Sequence, residues 1–140
     1  MRATLVNTTD LATTLTGLPP STPLFVDVAP SSYADEIWLM SAQAPGYAPW
    51  LIYVQKVGGH DALASELKGV LESRPIYILP HQVSSLREYC GIKIKPRRFP
   101  TTKDGSYVLE IEGWPPLITA RDLYEEFKST PVAQATTQNT

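Results

Sequence analysis

Cysteine is almost missing from this sequence: its 140 residues include one, Cys90. A lone thiol excludes an internal disulfide and a cysteine-built metal cage, and it fits a reducing, intracellular setting in nucleus or cytoplasm. Histidine is nearly as scarce. His60 and His81 lie too far apart for a helical ligand pair and read as surface or capping groups. No apolar run reaches the ~18 residues that a membrane span needs, and no secretory leader stands out, so no membrane contact is expected. No serine occupies a Gly-x-Ser-x-Gly setting and no glycine-rich loop could cradle a phosphate, so serine hydrolysis and nucleotide cofactors find no support. No cofactor is expected. Charge of one sign is also lacking: the net charge of −2 argues against a chain that coats nucleic acid through bulk charge.

What is present is an ordinary globular composition, 43% apolar and 19% charged. It reads as a single domain over residues 1–131, followed by a disordered tail at 132–140 without aromatics or charge. Pro23-Leu24-Phe25-Val26-Asp27-Val28, fenced by prolines, is expected as a buried central strand. It carries one carboxylate, Asp27, which must be paired or hydrogen-bonded there. Before it, Thr9 or Asp10 caps an expected helix through Leu11, Leu15 and Leu18. Strands follow at Glu36–Met40 and Trp50–Val54, then a helix at Asp61–Ser73 with Leu63, Leu67, Val70 and Leu71 on one face. A buried strand at Ile76–Leu79 leads to a helix at Gln82–Cys90 that points Val83, Leu86, Tyr89 and Cys90 inward and ends on Gly91. Ile92–Lys95 alternates apolar and basic like an edge strand, and Lys103-Asp104-Gly105 marks a hairpin with Tyr107, Leu109 and Ile111 inward. A last helix carries the stripe Leu123, Tyr124 and Phe127. The fold class is therefore α/β: a mixed sheet with a three-strand antiparallel meander and flanking helices.

Four pieces of this order carry a family likeness: Pro23–Val28, Trp50–Val54, the helix at Asp61–Ser73, and Leu86-Arg87-Glu88-Tyr89-Cys90-Gly91-Ile92-Lys93-Ile94. Together they resemble the ribonuclease D-like 3′–5′ exonuclease domain of the ribonuclease H-like superfamily, with its DEDD-type active site. The resemblance spans residues from about 8 to 100. It implies four acidic side chains converging on two divalent metals that activate water and hold the leaving oxygen. This chain departs from that pattern. The family's Asp-x-Glu is here Asp27-Val28-Ala29, its second aspartate is Gln82, and its Phe-Asp-Thr is Phe99-Pro100-Thr101. The final Tyr/His-x-x-x-Asp has a shortened counterpart in Ile118 to Asp122. Alanine offers no donor and glutamine only a weak neutral oxygen for a hard cation, so the resemblance implies a degenerate, inactive exonuclease.

Asp122 has a simpler reading as part of a helix cap built by Thr119, with Ile118 and Leu123 as the apolar staple. Cys90 reads as a small buried hydrophobe. The uneven feature is Arg87, Lys93, Lys95, Arg97, Arg98 and Lys103, six of the twelve basic residues within 17 positions, opposed only by Glu88. Such a strip suits phosphates or an acidic partner, or simply solvates an edge strand. Trp114, with Tyr124 and Phe127 on the last helix, is a second candidate surface, for a protein partner. The expected function is an inactive exonuclease-like module that binds or scaffolds in a nucleic-acid-associated complex. RNA or another single-stranded nucleic acid and a protein are its candidate partners, and a homodimer through the sheet edge stays open. Two alternatives remain: a minimal metal-dependent nuclease using Asp27 and Asp122 with Asp35 or Glu36, and a protein–protein subunit without nucleic-acid contact.

Overall fold

The computed structural model describes residues 4–6, 18–19, 21–30 and 37–129. The strands are β1 (Thr4–Val6), β2 (Leu24–Pro30), β3 (Ile37–Gln43), β4 (Trp50–Tyr53), β5 (Ile76–Tyr77) and β6 (Pro96–Arg97). The helices are α1 (Gly59–Glu72), α2 (Pro80–Cys90) and α3 (Ala120–Ser129). One sheet runs β1-β4-β3-β2-β5-β6. β2, β3 and β4 form the antiparallel meander, while β1 joins β4, β5 joins β2 and β6 joins β5 in parallel.

The central strand is apolar on both sides because helices cover both faces. Leu24, Val26 and Val28 point into the larger core, against α1 and α2. Ala29 points the other way, into a smaller cluster with Leu39, Leu51, Ala120 and Leu123 under α3. α1 buries Leu63, Leu67, Val70 and Leu71, the i, i+4, i+7, i+8 stripe of an amphipathic helix. It begins at Gly58, whose φ of 114° and 2.8 Å approach of a would-be Cβ to Ala62 leave room for no other residue. α2 opens on Pro80 and stops at Gly91, where φ is 67° and the backbone N–H returns to the Arg87 carbonyl.

The α/β sheet with its meander and flanking helices is as expected. Several elements differ in extent. The strand expected over Ile76–Leu79 pairs only at Ile76–Tyr77, because Pro80 already opens α2. Ile92 and Ile94 are buried and Lys93 and Lys95 exposed, the expected alternation. The ladder itself, however, lies at Pro96–Arg97, and that pair is the sheet edge. The hairpin turn at Thr102–Ser106 forms, closed by Thr102 N–H to Ser106 O at 2.8 Å, but its arms share only the Thr101–Tyr107 bridge. Tyr107, expected inward, is 46% exposed, and Leu109 and Ile111 are half-buried, since no third strand or helix among the described residues covers this arm. The expected first helix, apart from its buried end residue Leu18, and the tail at 132–140 lie outside the described residues.

Candidate functional site

Asp27 sits in the middle of β2, 7% exposed, and both carboxylate oxygens are engaged. Oδ1 accepts from the Gln82 side-chain amide at 2.8 Å. Oδ2 accepts from the backbone N–H of Ala120, the first residue of α3, at 2.7 Å. Gln82 is itself buried, and its Oε1 accepts from Val28 N–H at 3.2 Å. β5 has ended at this level, so the glutamine takes the β2 backbone donor that a longer strand would have paired. The polarity of this chain of bonds is fixed: Val28 donates to Gln82, Gln82 donates to Asp27, and Ala120 donates to Asp27 from the other side. A carboxylate is the side chain that accepts from both directions.

α3 is tied to the sheet at more than this point. Thr119 Oγ1 accepts from Asp122 N–H at 3.2 Å, so two of the helix's free N–H groups are met, one by its own cap and one by Asp27. Gln43 at the end of β3 donates to Pro116 O at 3.0 Å and accepts from Ile118 N–H at 3.2 Å, holding the segment that leads into the helix. Beneath the helix, Tyr124 packs edge-on against Trp38 at 5.4 Å and Tyr53 at 5.9 Å. Burial, and then the neighbouring Tyr124, raises the Tyr53 phenol above its ordinary value. Phe127 is half-buried against the same cluster. Tyr124 and Phe127 thus spend much of their surface within the chain. Ala29 lies in that cluster too, so the position where the family pattern has glutamate is filled by helix packing. Pro100 is exposed and its carbonyl closes the hairpin by accepting Val108 N–H at 2.8 Å.

The expected site residues divide into two groups. Asp27, Gln82 and the N-terminus of α3 meet, while Asp122 is exposed and Asp35 and Glu36 lie outside the described residues. Among the described residues, no three His, Cys, Asp or Glu side chains gather closely enough to hold a metal ion. The groups that meet at Asp27 do not fit a two-metal centre: one carboxylate with both oxygens bonded, a glutamine amide and a backbone N–H. His60 Nε2 lies 3.0 Å from Ile37 O and the ring rests on Tyr89 at 5.2 Å, while His81 is exposed. Cys90 is buried, and burial together with the Asp61 charge pushes its thiol up to about 11, the setting of an inert thiol.

Arg87, Lys93, Lys95, Arg97, Arg98 and Lys103 are all exposed, and none forms a salt bridge among the described residues. They do not share one face. Arg87 belongs to α2, on the side of the larger core, and Lys103 to the hairpin tip. Arg97 pairs beside Tyr77, and Lys95 precedes it by one alternation from the buried Ile94, which sets both on the side of α3, whereas Lys93 lies against α1 and donates its backbone N–H to Glu72 at 2.8 Å. Tyr77 is in turn the register partner of Phe25. Tyr77 touches Phe99 and Trp114, each at 5.8 Å. Tyr77 was not among the residues singled out from the sequence. Its signal was available in the inward Ile76 and Ile78 on either side, but only the β5–β6 register brings it beside a cation.

No protein-family model matches the chain, and no curated protein matches it significantly. Solved structures do. The EXD2 exonuclease domain soaked in Mg and dGMP aligns with a TM-score of 0.50 at 14% identity, over 96% of this chain and 64% of that one. The same domain soaked in Mg and GMP gives 0.50 at 13%, over 96% and 63%. The Aedes aegypti Nibbler EXO domain aligns at 0.47 and 13%, over 91% and 57%. The chain spans 63% to 64% of the length of these EXD2 structures. At such identities the likeness is one of fold: the chain has an exonuclease-like fold.

Proposed function

We propose that this chain is a non-catalytic exonuclease-fold module that binds and scaffolds within a nucleic-acid-associated assembly. The observation that carries the reading is the state of Asp27. In an exonuclease of this fold that strand position would offer a metal its oxygens. Here one oxygen holds Gln82 and the other holds the start of α3. Freeing them would leave the Gln82 amide and the Ala120 N–H unpaired in a buried site, each at a cost of about 1–3 kcal/mol. The group that would perform chemistry instead fastens the last helix to the sheet.

The test is a cleavage assay on 5′-labelled single-stranded RNA and DNA with magnesium or manganese. The expected result is intact substrate. A ladder of shortened products made by the purified chain and lost in Asp27→Asn would overturn the reading and restore the minimal nuclease.

A further inference from the structure

Helical cover on the Asp27 side of the sheet is uneven. α3 packs chiefly over β2, β3 and β4. One row of side chains crosses this face in register: Gln43, Phe25, Tyr77 and Arg97. The chain from Phe99 to Trp114 screens it only in part. Phe99 packs edge-on against Phe25 at 5.8 Å, and Trp114 packs against Tyr77 at 72°. Tyr77 and Trp114 stay half-buried, and Arg97 beside them is exposed.

Lys95, exposed and one alternation before Arg97, continues on the same side. Alternate residues of an extended chain repeat about every 6.6 Å, a step comparable to that between successive phosphates of an extended single strand. Lys95 and Arg97 form no salt bridge among the described residues, and the sequence from Arg87 to Lys103 is the densest run of basic residues in a chain of net charge −2. Exposed cations tracking a backbone beside half-exposed aromatic rings are the two parts of a single-strand platform. An acidic peptide would use the cations but leaves the rings without a role.

We infer that the β5–β6 half of this face binds single-stranded nucleic acid, with phosphates along Lys95 and Arg97 and a base against the Tyr77–Trp114 pair. None of these residues is among those that bond Asp27. The inference rests on the proposed function only in that the bound strand stays uncut.

The experiment is fluorescence anisotropy with 5′-fluorescein oligouridylate and oligothymidylate over a salt series. The wild-type chain is compared with Lys95→Glu/Arg97→Glu and with Lys56→Glu, which follows β4 on the far side of the sheet order. Circular dichroism confirms that each variant is folded. Two phosphate contacts give a slope of log K against log salt of about −1.4. The double variant should lose at least about tenfold in affinity and most of that slope, while Lys56→Glu changes neither. Tryptophan emission should be quenched on binding, and the quench should vanish in Trp114→Phe. Binding to both polymers, or to one alone, supports the inference and identifies the sugar tolerated. No binding to either at the lowest salt, or binding unaffected by the double variant, overturns it and leaves the face to a protein partner, with the non-catalytic reading intact. Shortened oligonucleotide after the titration would instead overturn the non-catalytic reading.

Discussion

Asp27→Asn separates a structural carboxylate from a catalytic one by stability alone. Gln82 Nε2–H and Ala120 N–H both donate into Asp27, and Val28 N–H donates into Gln82. An asparagine has one acceptor oxygen, so one of the two donors must face an N–H. Turning the Gln82 amide does not help, because its nitrogen would then face Val28 N–H. One buried donor left unmet costs about 1–3 kcal/mol, and Asp27→Ala, which removes both acceptors, costs about 2–5 kcal/mol. For a domain whose total stability is on the order of 5–15 kcal/mol, either is a large fraction. With an m-value of about 1–3 kcal/mol/M, urea unfolding followed by tryptophan emission should show the Asp27→Asn midpoint lower by roughly 1 M. The same geometry names a rescue. In Asp27→Asn/Gln82→Glu the asparagine oxygen accepts from Ala120, its amide donates to the new carboxylate, and the second carboxylate oxygen still accepts from Val28. The double variant should recover about 1–2 kcal/mol relative to the sum of the two single changes. Catalytic groups tend to be held at the expense of stability, so removing one is commonly neutral or stabilising. If Asp27→Asn unfolds at or above the wild-type midpoint, the hydrogen-bonded joint is refuted.

Ser41 lies opposite Asp27 in the β2–β3 register, 1% exposed, and its hydroxyl has no hydrogen-bond partner among the described residues. Ser41→Ala should therefore raise the urea midpoint, by about 1 kcal/mol in stability, and a loss would show that the hydroxyl is used. Cys90, with its thiol pushed up to about 11, should resist iodoacetamide at pH 8 in the folded chain and react once urea exposes it. Alkylation of the native chain at the rate of a free thiol would contradict its burial. Glu72 is held below its ordinary value of 4.5, first by the Lys68 side chain and then by the Lys93 backbone N–H. A carboxylate with a lowered folded value contributes fully above its unfolded value, and that contribution is lost as pH falls through the folded one. Glu72→Gln should flatten the acid side of the stability–pH curve below about pH 4.5 and leave its slope above pH 6 unchanged, more visibly at low salt.

The central strand, the meander and both helices of the larger core were legible because each is written in a local repeat. Leu63, Leu67, Val70 and Leu71 share a stripe, Pro80 opens α2 and Gly91 closes it. The expectation that Asp27 accepts hydrogen bonds inside the sheet matches its surroundings, and Thr119 serves as the helix cap. In the sequence Gln82 reads only as a missing acid. Its buried bond to Val28 depends on β5 ending early, which no local pattern states. β1 is three residues long and pairs with a strand more than forty positions away, too brief a signal to register. Tyr107 was placed inward by period-two alternation, a rule that holds only where another layer covers the face. The basic strip was visible in composition, but its division between two sides of the sheet follows from β6 pairing in parallel with β5.

The most direct test of the reading of Asp27 as a joint is a manganese titration followed by electron paramagnetic resonance. Ions bound to carboxylates lose the sharp signal of free hydrated manganese. The expected result is a free-ion signal that rises with added manganese as it does in buffer alone, for wild type and Asp27→Asn alike. Uptake of one or two ions per chain, abolished by Asp27→Asn, would contradict the account and place a metal centre where the hydrogen bonds now stand.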